Sequence, residues 1–186
     1  MPPGPLLAIW GMETAFGSQH GNQNTLSAIA TFAYDCRRPE YFIEQLYAVL
    51  KLIDRGVLSA STRGSMRGEI GQTQFLPKNT LAYGTGNLDV AANALSSTAN
   101  FLKAHGWRAG AGYQSGEANF AAIQAWNAAS VYQRAIAYSC RGPRAGRPPS
   151  NAAQRISLPW FSYLGDEMSS SHRPGRNNGS RYCREH

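Results

Sequence analysis

The chain has 186 residues, 42% hydrophobic and 16% charged, with a formal net charge of +7. That composition excludes a disordered chain and leaves room for one domain with a real core; no stretch approaches the ~20 apolar residues of a bilayer-spanning helix. The charge is uneven: residues 1–142 carry 11 Lys+Arg against 8 Asp+Glu, and residues 143–186 carry 7 Arg against 3 Asp+Glu. A mildly basic body suits an acidic polymer, nucleic acid or bacterial wall, and equally an ordinary solvated surface.

Taken in order, the periodicities are helical. Pro5 suits the first turn of an opening helix and Gly17 its end. Met1 stands almost directly against this helix with no secretory leader before it, as expected of a stretch lying inside a longer protein. A second helix is predicted over about Thr25–Tyr34, with Leu26, Ile29, Ala30 and Ala33 inward. A third opens at Pro39 with Glu40 in its first turn, buries Phe42, Leu46, Val49, Leu50 and Ile53, and stops at Gly56. Glycines at 64, 68 and 71 then interrupt all periodicity as far as Pro77. Asp89 reads as the cap of a further helix that turns Ala94, Leu95, Thr98, Phe101 and Leu102 inward and closes at Gly106. After a Gly-rich loop, one last helix or a pair of short ones covers about Asn119–Tyr138. No strand run and no repeat is visible, so the predicted body, residues 1–142, is all-α or nearly so. Residues 143–186, Arg-rich with a single apolar island at Ile156–Leu164, read as a poorly ordered tail, or alternatively as a nucleic-acid or wall-binding arm.

Few residue clusters carry chemistry. The three cysteines (Cys36, Cys140, Cys183) and four histidines are scattered without metal-ligand or redox spacing, and at least one cysteine stays unpaired within the chain. In the opening helix, Leu6, Ile9, Trp10, Glu13 and Phe16 share one face at steps of three and four. A carboxylate in an apolar stripe raises its pKa and keeps its proton, which general-acid catalysis needs near neutral pH. A Glu13 turned to solvent, or paired with a buried arginine, is the competing reading. The Gly64–Pro77 segment is not a phosphate loop, since no Gly-Lys-Ser/Thr follows its glycines. Its glycines instead mark a backbone passing close to a ligand or another helix, with Ser65, Gln72 and Gln74 as neutral hydrogen-bonding groups suited to a sugar. A surface loop with tight turns would look the same.

Five blocks then fall in one order: Ile9-Trp-Gly-Met-Glu-Thr-Ala-Phe-Gly17, Ala33-Tyr-Asp-Cys-Arg-Arg38, Gly64–Pro77, Thr98-Ala-Asn-Phe-Leu-Lys-Ala-His-Gly-Trp107 and Trp126-Asn127 with Tyr132. Together they resemble the soluble domain of lytic murein transglycosylases of the membrane-bound B type, over about residues 3–138. The resemblance implies a lysozyme-like α-helical fold with a central groove, and cleavage of the MurNAc–GlcNAc β-1,4 bond of peptidoglycan in the periplasm or at the outer membrane. It implies peptidoglycan glycan strands as the partner, no nucleic acid, no cofactor, and a monomer. Glu13 inherits the role of lone catalytic acid/base. Ser65 and Gln74 fall on groove residues, Arg37 and Arg38 on paired arginines, and Asn127 and Tyr132 on residues near the glutamate. Phe101 stands where many relatives have a groove tyrosine, so one hydroxyl contact is missing. Many relatives also carry a calcium-loop-like insertion, but Tyr83–Asp89 here holds one carboxylate, too few for that ion.

With one carboxylate the substrate must supply the second function. Glu13 gives its proton to the glycosidic oxygen; the resulting carboxylate then takes the proton of the MurNAc 6-hydroxyl, which closes on C1 as a 1,6-anhydro sugar without water. Glu69 is the challenger: as a second carboxylate it would make an inverting lysozyme-type hydrolase, although a surface position or an ion pair with Arg67 is the expectation. A domain that grips peptidoglycan without cutting it is the third possibility.

Overall fold

A computed structural model describes residues 1–35 and 37–139, all of them within the unit Met1–Gly142. The expected tail, residues 143–186, and the three cysteines lie outside the described residues. Helix α1 (Pro3–Thr14) has prolines in its first turn, where no donor is lost, and ends where Ala15 turns left-handed (φ 49°) and returns its N–H to the Gly11 carbonyl at 3.0 Å. Asn24 caps α2 (Thr25–Tyr34) by accepting from the Ser27 N–H at 2.9 Å. Helix α3 (Pro39–Asp54) again starts on proline, with Glu40 in its first turn. The remaining helices are α4 (Pro77–Tyr83), α5 (Ala91–Ala104), α6 (Phe120–Trp126) and α7 (Ser130–Ser139). The fold is nearly all-α, as the periodicities require.

Two apolar clusters organise it. Ile9 of α1, Phe101 and Leu102 of α5, Ile123 of α6 and Ile136 of α7 bury together around Phe75. Ile29 of α2 packs with Phe42 and Val49 of α3 in a second cluster, where the Phe32 and Phe42 rings stack at 4.8 Å. The Gly-rich segment runs between them. It begins with a short antiparallel ribbon, β1 (Gln23–Asn24) against β2 (Arg63–Gly64), in which Gln23 faces Gly64. It ends in a tight turn closed by reciprocal backbone bonds between Ile70 and Phe75 at 2.8 and 2.9 Å.

The structure corrects several local expectations. The ribbon and α4 were not legible, the first because two-residue strands leave no period, the second because seven residues give barely two turns. Asp89 does not cap α5; Val90 stands at that position and no side chain bonds there. Phe16 is 60% exposed rather than on the buried stripe, because the chain leaves the helix after Thr14. Ala30 and Leu50 are exposed, while Phe32 on α2 and Gln45, Ala48 and Leu52 on α3 occupy the inner faces.

Candidate active site

Glu13 sits in the last turn of α1, where the negative end of the helix macrodipole already disfavours a carboxylate. Its Oε1 accepts from the Trp126 indole Nε1–H at 3.2 Å and from the Tyr132 hydroxyl. Burial pushes its pKa from 4.5 up to about 7; the Tyr132 and Trp126 hydrogen bonds oppose that rise, and the negative charge of Glu69 adds to it. The same surroundings hold the Tyr132 phenol well above its ordinary value, so it stays a donor. Glu13 is thus half-buried, open only toward the cavity it lines, and has no ion-pair partner among the described residues.

Three contacts tie α1 to the Gly-rich segment. The Trp10 indole donates to Gln72 Oε1 at 2.8 Å, and the Thr14 hydroxyl donates to the Gln72 carbonyl at 2.6 Å while accepting from the Gly17 N–H at 3.0 Å. Gln72 is thus committed to holding the two walls together. Two glycines show why this segment needs them. A Cβ on Gly68 (φ +80°) would lie 2.5 Å from Ile29 of α2, and one on Gly71 (φ +72°) would lie 2.6 Å from the Leu88 carbonyl. The close approach is to another helix and to backbone. Gln74, not a glycine, also takes a left-handed conformation (φ 52°), and its amide donates to the Gly71 carbonyl at 2.9 Å.

Glu13, Tyr41, Glu69, Gln74, Phe75, Leu76, Asn79, Ala125, Trp126 and Asn127 line a cavity of about 220 Å³. Of the residues expected from sequence, Glu13, Gln74 and Asn127 lie on its wall, and Tyr132 reaches Glu13 from behind. Asn127 Oδ1 is engaged by the Ala129 N–H at 2.9 Å, which leaves its amide nitrogen toward other partners. Ser65 is not on the wall. Its hydroxyl donates to Glu69 Oε2 at 2.7 Å, and its oxygen accepts from the Arg67 and Glu69 N–H groups, both at 3.1 Å. Glu69 itself is the cavity residue, contrary to its expected surface position. Arg37 is exposed and chelates the Asp35 carboxylate, with contacts of 2.9 and 2.8 Å. The Arg38 guanidinium stands 5.7 Å over the ring of Tyr41, which places it at the cavity's edge. Phe101 does not line the cavity; it is 5% exposed and packs behind it against Phe75, Trp126, Tyr83 and His105. Trp126 and Tyr41 were not singled out as site residues; the Trp-Asn pair in the fifth block was the available signal for the first, and Tyr41 had none.

The site thus joins an acid of raised pKa to a cavity walled by aromatic rings and side-chain amides, within a helical fold. A family model described as the transglycosylase SLT domain matches residues 1–117. The chain belongs to this family. As a member of the transglycosylase SLT domain family it is 34% identical over 119 residues to membrane-bound lytic murein transglycosylase B of Escherichia coli, covering 59% of this chain and 33% of that protein. The chain therefore spans about a third of the length of that curated relative. SltB3 of Pseudomonas aeruginosa, solved with NAG-anhNAM-pentapeptide, superposes with a TM-score of 0.69 at 28% identity, covering 93% of this chain and 66% of that one. The E. coli lytic transglycosylase Slt35, solved with bulgecin A, shares the fold at a TM-score of 0.69 and 24% identity, over 76% of this chain and 65% of that one.

Slt35 has also been solved with calcium. The Tyr83–Asp89 loop of this SLT domain does not fit that ion. Asp89 is its one carboxylate and points toward His20 at 3.9 Å, Asn87 Oδ1 accepts from the Asp89 N–H, and the Thr85 hydroxyl is tied to Asn93 and Ser97. Among the described residues no cluster of three or more His, Cys, Asp or Glu is placed to hold a metal, and no helix is long and apolar enough to cross a membrane.

Proposed function

We propose that this domain is a peptidoglycan lytic transglycosylase that cleaves the MurNAc–GlcNAc β-1,4 bond and leaves a 1,6-anhydroMurNAc end. The observation that carries the reading is the enclosed Glu13 carboxyl, with a pKa of about 7, on the wall of a polar cavity. At neutral pH a large fraction of this group holds a proton to give, and its conjugate base is strong enough to accept one. Glu13 donates to the glycosidic oxygen as the bond breaks; its carboxylate then removes the 6-hydroxyl proton as that oxygen closes on C1. One group serves as acid and then base, and no water enters. Tyr132 and Trp126 stabilise the intervening carboxylate by donating to Oε1. Gln74 and Asn127 supply amide hydrogen bonds to the sugars, and Arg38 and Tyr41 extend the wall toward the rest of the strand. Work on the cell envelope, in the periplasm, and action as a monomer on glycan strands complete the proposal.

Mass spectrometry of muropeptides released from purified sacculi tests it. The expected products carry anhydro ends, lighter by one water than hydrolytic products, and Glu13→Gln releases none. The presence of Glu69 in the cavity favours one rival, an inverting hydrolase in which a second carboxyl activates water across roughly 6.5–9.5 Å. Products heavier by one water would establish that rival and displace the transglycosylase reading.

A further inference from the structure

Glu69 has no part in the single-acid mechanism, yet the fold builds a place for it. It lines the same cavity as Glu13. The Ser65 oxygen is occupied by two backbone N–H donors, so its proton has one direction left, onto Glu69 Oε2 at 2.7 Å. That bond fixes where the Glu69 carboxyl stands in the cavity wall. The cavity thus holds two carboxyl groups on one wall, those of Glu13 and Glu69, beside the rings of Phe75 and Trp126.

We infer that Glu69 is an electrostatic positioning residue, an anion held by Ser65 whose charge keeps the proton on Glu13 before bond cleavage and draws a proton back to it afterwards. The inference rests on the proposed role of Glu13 for its catalytic meaning, but not for its physical content. The charge acts on both halves of the single-acid cycle: it raises the fraction of Glu13 that holds a proton, at some cost in acid strength, and it strengthens the base. A like charge across the cavity makes ionisation of Glu13 harder, and for the same reason makes its carboxylate a stronger base toward the 6-hydroxyl. The direction agrees with the contribution of Glu69 to the raised Glu13 pKa. Tyr132 on α7 and Trp126 on α6 donate to Glu13 and pull the opposite way. At the rim, Tyr41 on α3 lies beneath Arg38, and Lys78 on α4 is engaged by Glu44 of α3.

The experiment is a carbon-13 NMR titration of side-chain carboxyls in the substrate-free protein, with the Glu13 resonance identified by its loss in Glu13→Gln. In Glu69→Gln, which keeps the size of the side chain and an acceptor for Ser65, the Glu13 midpoint falls by roughly half a pH unit or more. Glu69→Asp restores most of the shift, which a merely structural role would not predict. The alkaline limb of muropeptide release moves down by the same interval. Raising the salt from low to about 1 M lowers the Glu13 midpoint in the unaltered protein by screening, a readout independent of any variant's folding. A Glu13 midpoint that stays put both in Glu69→Gln and at high salt overturns the inference. Failure of the transglycosylase reading would show instead in the product masses, with the titration unaffected.

Discussion

Replacing Glu13 by glutamine separates the cost of the acid from its use. Glutamine preserves the oxygen that Trp126 and Tyr132 donate to, and it cannot ionise. In the unfolded chain the carboxyl titrates near 4.5, and in the fold near 7. Below pH 4.5 both states hold the proton, and Glu13 imposes no penalty. Between those values the unfolded state releases its proton while the folded state keeps it, so stability falls as pH rises, and above pH 7 the loss is complete. A gap of 2.5 units corresponds to about 3 kcal/mol. Relative to Glu13→Gln, the natural protein should therefore lose about 3 kcal/mol between pH 4 and pH 9, or roughly 6–12 °C in Tm. Paired thermal melts at the two pH values measure the difference of differences, which cancels every other titrating group. Turnover of sacculi should fall at least ~1,000-fold in the same variant, since the proposed mechanism takes both its acid and its base from Glu13. Parallel Tm-versus-pH curves for the two proteins would refute the enclosed-acid reasoning, whatever happened to activity.

Other substitutions probe the supports of that group. Tyr132→Phe removes a donor that stabilises the Glu13 carboxylate, so the Glu13 pKa rises further and the alkaline limb of the pH profile moves up, with stability lowered by about 1–2 kcal/mol in urea titrations. Thr14→Val breaks the bond to the Gln72 carbonyl and strands the Gly17 N–H; because Thr14 is 1% exposed, it should cost about 2–3 kcal/mol and weaken binding of glycan fragments as the two walls loosen. Asn127→Ala leaves the Ala129 N–H without its partner at the start of α7, costing about 1 kcal/mol by denaturant unfolding and raising KM more than it lowers kcat. Chelation by EDTA followed by added calcium should leave Tm unchanged, because the Tyr83–Asp89 loop has one carboxylate to offer; a calcium-dependent rise of several degrees would contradict that.

Much of the site was legible because chemistry and periodicity coincide there. Glu13 stands out as the charge in an apolar stripe, and Ile9 of that stripe is fully buried. Gln74, Asn127 and Tyr132 came from blocks whose order is itself a signature. The misses share a cause. Phe16 continues the helical spacing on paper, but Ala15 and Phe16 both take positive φ, which no pattern of residue types announces. Glu69 reads as an ordinary loop carboxylate until Ser65, four residues earlier, is seen to point at it. Phe101 and Gln72 hold the expected places in the order of motifs, but the tertiary packing assigns them to the core and to the joint between walls.

Residue types and their spacing determined that this chain is helical, which faces of its main helices seek a core, and that one acid lies among apolar neighbours. Those are local properties, set by side-chain chemistry and by steps of three and four along a helix. Only the tertiary structure decided that the acid is enclosed by Trp126 and Tyr132, more than 110 residues away, and shares its cavity with a second carboxylate. Burial and like charge depend on what the folded chain brings together from a distance, and a pKa follows from those surroundings rather than from the residue that bears it.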